Sequence, residues 1–137
     1  MTQLLIDTNI VLDLLAERKP FYIDAAELFS LGDKGRISLS VSALTIINTH
    51  YILRKFKSEP EARKIIRMFK VLVNVLPLND RITELALSSD FGDFEDAIQY
   101  FSAFESKLDI IVTRNQSDYK NSSLPVMPPR EYIESIQ

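Results

Sequence analysis

The sequence predicts a three-layer α/β/α sandwich in which helices cover both faces of a mostly parallel sheet of four or five strands. Three observations carry that expectation. Short apolar runs alternate with longer helical stretches along all 137 residues, so successive strands must be joined by crossover helices. The stretch "DIIVT" at 109–113 is apolar without interruption, as in a strand buried on both faces. Helix punctuation falls between the runs: Pro20, the glycines at 32 and 35, and capping serines at 42 and 58.

Taken in order, "LLID" at 4–7 reads as a strand closed by an acid, with Asp7 as its last residue. "TNIVLDLLAERK" then carries Ile10, Val11, Leu14 and Leu15 at helical spacing, up to the break at Pro20. "FYIDAAELFSLGDKG" is a second helix that stops near Gly32 or Gly35. "RISLSV" alternates Ile37, Leu39 and Val41 as a strand does, and Ser42 caps "ALTIINTHYILRKFK". Ser58 and Glu61 have capping-box spacing ahead of "ARKIIRMFK", and "VLVNVL" at 71–76 alternates as a third strand. "NDRITELALSS" and "FEDAIQYFSAFESKL" are helices, "DIIVT" is the fourth strand, and a polar loop leads to Val126, a short edge strand, and a last helical turn or two after the prolines.

Length and continuity of the pattern fit one domain spanning 1–137. With no cysteine and one histidine, disulfides, thiolate catalysis and Cys- or His-rich metal sites are excluded, so any metal is held by oxygen. The N-terminal apolar run is broken by Asp7, Asn9 and Asp13 and has no basic leader, so the expected location is cytoplasmic, with no membrane. Net charge is −3, but Arg54, Lys55, Lys57, Arg63, Lys64, Arg67 and Lys70 fall within one short stretch. Four of them, Arg63, Lys64, Arg67 and Lys70, form a helical stripe, either a solvated face or a contact strip for an RNA backbone.

In a parallel sheet, ligands bind beyond the carboxyl ends of the strands. Asp7 ends the first strand, and Arg114, Asn115 and Asp118 follow the fourth, so they should open onto one edge. "GDFEDAIQY" at 92–100 adds Asp93, Glu95 and Asp96 at the start of a helix. Asp93 is a good N-cap, and acids in a first turn complement the helix dipole. Asp93 and Asp96, three apart, also share a helix face and can aim two carboxylates at a cation.

Together "LLIDTNIVLD", "DFEDAIQYFSA" and "IVTRNQSDY" resemble the PIN domain, a family of small metal-dependent ribonucleases that includes the VapC-type toxins of toxin–antitoxin pairs. The resemblance covers nearly the full chain. It implies an endoribonuclease using Mg²⁺ or Mn²⁺, with RNA as substrate, a cognate antitoxin covering the groove, and a homodimer or higher assembly. Asp7 matches the family's first acid, Asp96 the third and Asp118 the fourth, while Thr113, Asn115 and Asn9 match supporting polar residues. The second acid, commonly a glutamate, should fall within "ALTIINTHYILRK", which has none. Asn48 is best placed there, on a face with Leu44, Tyr51 and Ile52, as a neutral oxygen ligand or a buried amide that needs a partner. Asp93 would supply the missing charge, and Arg114 would meet a substrate phosphate. A carboxylate cluster without cations needs a divalent ion, which can activate water and stabilise a leaving oxygen without any side-chain nucleophile. The alternative is a catalytically impaired PIN-fold module that binds RNA or antitoxin.

Overall fold

The structure, a computed structural model, describes residues 1–137. Its elements are β1 (Gln3–Ile6), α1 (Thr8–Leu15), α2 (Tyr22–Asp33), β2 (Ser38–Ser42), α3 (Ala43–Leu53), α4 (Glu59–Phe69), β3 (Asn74–Leu76), α5 (Asp80–Leu87), α6 (Phe94–Glu105), β4 (Ile110–Val112), β5 (Val126–Met127) and α7 (Pro129–Ser135). Two 3-10 turns, Lys70–Leu72 and Gln116–Tyr119, follow α4 and β4. The five strands lie in the order β3-β2-β1-β4-β5 and every pairing is parallel.

Alternation along β1 sorts the layers. Leu4 and Ile6 meet Ile10 and Val11 of α1, Leu28 and Phe29 of α2, and Tyr132 and Ile133 of α7, all buried. Leu5, between them, faces the opposite side with Ile111, Tyr100 and Ala103 of α6, and Tyr119. The chain winds from β1 outward through β2 to β3, then returns to lay β4 on the other side of β1. The topological switch point therefore falls between β1 and β4, where a doubly wound sheet opens a crevice at its carboxyl edge.

The caps form as the residue types dictate. Ser42 Oγ accepts from Thr45 N at 3.1 Å, and Ser58 Oγ accepts from Glu61 N at 3.2 Å. Asp7 lies one residue beyond β1 and is the N-cap of α1, its N–H still donating to Val112 O at 3.0 Å across the ladder. Helix α2 ends ahead of Gly35, whose φ of 74° is the left-handed conformation that terminates helices.

The third strand is half its expected length. Phe69 is buried and packs edge-on against Phe29 at 5.4 Å, which carries α4 on into a 3-10 turn and leaves Val71 84% exposed. Tertiary burial of one aromatic overrides the β-branched alternation that begins at Val71. Likewise α3 ends at Leu53 rather than running to Lys57, because Leu53 is fully buried against α4 and the chain must double back.

Gly32 sits where α2 crosses β2: a Cβ there would stand 2.5 Å from Leu39 Cδ1 and 2.9 Å from its Cγ. Leu39 is buried and has little room to give. Gly32→Ala is expected to destabilise by about 1 kcal/mol, overpacking outweighing the gain in helix propensity. Urea unfolding checks this; a raised midpoint would show that the crossing has slack.

Candidate active site

Asp7 is placed by the end of the central strand, and the residue is 8% exposed. A charged carboxylate in such a position needs donors or a cation. Here it has four donors and no cationic side chain. Oδ1 accepts from Thr8 N at 2.7 Å and Gln99 Nε2 at 3.3 Å; Oδ2 accepts from Thr113 Oγ1 at 2.9 Å and Tyr119 OH at 3.1 Å. Burial nonetheless holds the carboxyl above its ordinary range, against those hydrogen bonds.

Each donor is itself held. Thr113, immediately after β4, accepts from Asn9 Nδ2 at 3.2 Å and Asn115 N at 3.1 Å, which aims its hydroxyl proton at Asp7. Gln99 Nε2 also donates to Thr45 Oγ1 at 2.7 Å, and its Oε1 accepts from Ser42 Oγ. One amide thus ties α6 to the ends of β1 and β2. Burial and the negative charge of Asp7 push the Tyr119 phenol well above its ordinary range, so it remains a donor.

Around Asp7 opens a cleft of about 440 Å³ lined by ten residues, none hydrophobic and none basic. Five are acids: Asp7, Asp93, Glu95, Asp96 and Asp118. Asp93 Oδ2 accepts from Asp96 N at 3.0 Å as the N-cap of α6, so it caps and lines the cleft at once. Asp96, in the first turn, is raised to about 7, first by burial and then by the charges of Asp93, Asp118, Asp7 and Glu95. Asp118 stands exposed in the 3-10 turn after β4. No three of these carboxylates are drawn together as a closed ligand set. Their donor chemistry, all oxygen and unneutralised, suits a hard divalent cation of the Mg²⁺ or Mn²⁺ kind.

Asp7, Asp93, Asp96, Asp118, Asn48, Asn9 and Asn115 all line this cleft, and Thr113 lies directly beneath it. Two residues stand otherwise than expected. Arg114 is turned away from the acids: its Nε lies 2.7 Å from Asp13 Oδ2, its Nη2 3.1 Å from Asp13 Oδ1, and its guanidinium stacks 3.8 Å from the Phe21 ring. Asp13 is fully buried and takes Arg18 as well, so a buried charge claims the arginine expected at a phosphate. Asn48 is half-buried rather than buried, and Tyr51 on its face is 66% exposed; its amide donates to Glu95 Oε1 at 2.7 Å.

Gln99, Thr45 and Tyr119 were not legible as site residues. The one sequence signal was Gln99, a polar side chain three residues after Asp96 within an otherwise buried helical run. His50 contacts Glu59 on α4, outside the cleft.

Residues 3–117 match the PIN domain. The chain belongs to the PIN domain family. That match takes in Asp7, Asp96 and Thr113 and stops one residue short of Asp118. Ribonuclease VapC1 of Aquifex aeolicus (strain VF5) is 23% identical over 137 residues, covering 94% of this chain and 92% of that protein. Among solved structures, a DNA-bound VapBC from Salmonella typhimurium superposes with a TM-score of 0.71 at 16% identity, covering 94% of this PIN domain and 99% of that chain. A toxin–antitoxin complex from Klebsiella pneumoniae does so with a TM-score of 0.67 at 25% identity, over 91% and 96%.

The raised carboxyls set a pH signature. A carboxyl whose folded pKa lies above its unfolded value binds its proton more tightly when folded, so its stabilisation is complete below about pH 4 and is lost as pH climbs toward about 7. Asp96 and Asp7 act in the same direction. In EDTA, the melting temperature of Asp96→Asn minus that of the unaltered protein should rise between pH 4.5 and 7.5, as scanning calorimetry would show. A flat difference would mean that neither burial nor the neighbouring acids raise the Asp96 carboxyl.

Proposed function

We propose that this chain is a metal-dependent endoribonuclease, hydrolysing RNA phosphodiester bonds as the toxin of a toxin–antitoxin pair. The observation that carries the reading is Asp7: a buried carboxylate at the switch point, hydrogen-bonded on both oxygens yet with no cationic side chain beside it, facing four more acids. Asp7, Asp96 and Asp118 would hold Mg²⁺ or Mn²⁺, with Asp93 completing the charge. When bound, the cation supplies neutralisation of the phosphodiester and activation of water.

The protein's own part is positioning. Thr113 and Tyr119 fix one oxygen of Asp7, and Thr8 and Gln99 fix the other. Asn9 and Asn115 hold Thr113 in turn. Asp93 caps α6 and so sets where Asp96 points. With no basic residue lining the cleft, RNA would be drawn by charge elsewhere, and Arg63, Lys64 and Arg67 stand exposed along α4 with Lys70 just after it. Antitoxin binding and self-association fit the exposed apolar side chains of the α3–α4 region, Ile47, Met68 and Val71.

The absence of an acid on α3 favours one second reading, a PIN domain that binds RNA or antitoxin without cutting. Purified protein freed of partners is expected to cleave a mixed structured RNA pool with Mg²⁺ or Mn²⁺ and not with EDTA. Asp7→Asn and Asp96→Asn should each lower the rate by about 100-fold or more. No cleavage under any metal, with the fold intact, would favour the binding module.

A further inference from the structure

We propose that Glu95 is the fourth carboxylate of the metal site and that Asn48 is the residue that positions it. The inference rests on the nuclease reading above and concerns which side chains complete its site. Helix α3 points an amide, not an acid, at the cleft, and the Asn48 Nδ2 can only donate. It donates to Glu95 Oε1 at 2.7 Å, across from α3 to the first turn of α6. Glu95 Oε2 has no hydrogen bond within the protein, which leaves that oxygen for a ligand in the cleft both residues line.

The kind of partner is informative. Glu27 is held by Arg130, Glu59 by Arg54 and Arg63, and Glu105 by Arg81. Glu95 has no cationic partner and is held by a neutral amide instead, as Glu61 and Glu84 are held by serine hydroxyls, but of these three it alone lines the acidic cleft. An arginine would fix the carboxylate and cancel its charge; an amide fixes it and leaves the charge for a cation. Glu95 is exposed, and a free glutamate there would sample several rotamers in solvent, so the amide also lowers the entropy lost on ligation. The acid missing from α3 is thus supplied by α6, and α3 contributes the donor that aims it.

Mn²⁺ binding to the purified full chain, followed by calorimetric titration and by the loss of free Mn²⁺ signal in electron paramagnetic resonance, tests this without reference to cleavage. Glu95→Gln should weaken Mn²⁺ binding by about 10-fold or more, and Asn48→Ala by about 10-fold through loss of orientation. In the Glu95→Gln background, Asn48→Ala should add less than about 3-fold, since the two act through one carboxylate. The exchange Asn48→Glu with Glu95→Gln, which returns the acid to α3, should recover affinity to within about 3-fold of the unaltered protein. Asp96→Asn separates the two levels of inference. If it abolishes Mn²⁺ binding while Glu95→Gln leaves it unchanged, Glu95 is no ligand and the site reading stands; if the Asn48 and Glu95 effects simply add, Asn48 does not act through Glu95 and the proposed pairing falls. If Asp96→Asn leaves Mn²⁺ binding unchanged, or the unaltered chain binds none, both fall.

Discussion

Much of this structure depends on how one negative charge is kept at the end of the central strand. Asp7 is buried, and no lysine, arginine or histidine lines the space in front of it. Its solvation is replaced by directed donors from α1, α6, the turn after β4 and the residue that closes β4. Three of the four donors come from stretches 92 to 112 residues away in sequence, so the carboxylate is also a point at which distant parts of the fold are tied. Such fixed dipoles hold a charge without cancelling it, and a low-dielectric setting strengthens its pull on any counterion that arrives.

Asp13, six residues on, shows the other way to bury an acid. It is buried still more completely, but Arg18 and Arg114 neutralise it, and Arg114 lies flat on Phe21. One helix thus carries a structural carboxylate with its charge satisfied and a second with its charge left open. The contrast explains why Arg114, adjacent in sequence to Thr113 and Asn115, belongs to the scaffold side of α1 rather than to the cleft. The acidic cluster also strains the protein when no cation is present: burial and then repulsion raise Asp96, and a stability cost sits where the chemistry is wanted.

The layers and most element starts could be read from the sequence because they follow from local rules: serine caps at 42 and 58, the uninterrupted apolar run of β4, and the 3.6-residue spacing of α1 and α6. Asp7 and Asp118 could be placed on one edge from strand direction alone, whereas Asp93 and Asp96 begin a helix and reach that edge only through the path of the connection before it. What could not be read was set by contacts between distant residues. Phe69 against Phe29 shortens β3, Asp13 claims Arg114, and Gln99 reaches back to Ser42 and Thr45. Asn48 was visible as an anomaly on its helix, but its partner lies 47 residues away in another helix, and no pattern along α3 points there.

The two outermost strands are very short: β3 has three residues and β5 has two. An incoming chain trying to extend the sheet would find only one or two ladder hydrogen bonds on either rim before the backbone turns away. Lateral strand addition, the common route to fibrils and to strand-swapped pairs, is thereby blocked at both sides. A protein built this way can carry exposed apolar side chains on its helices without risking growth along its sheet, and its encounters with other proteins are left to helical faces.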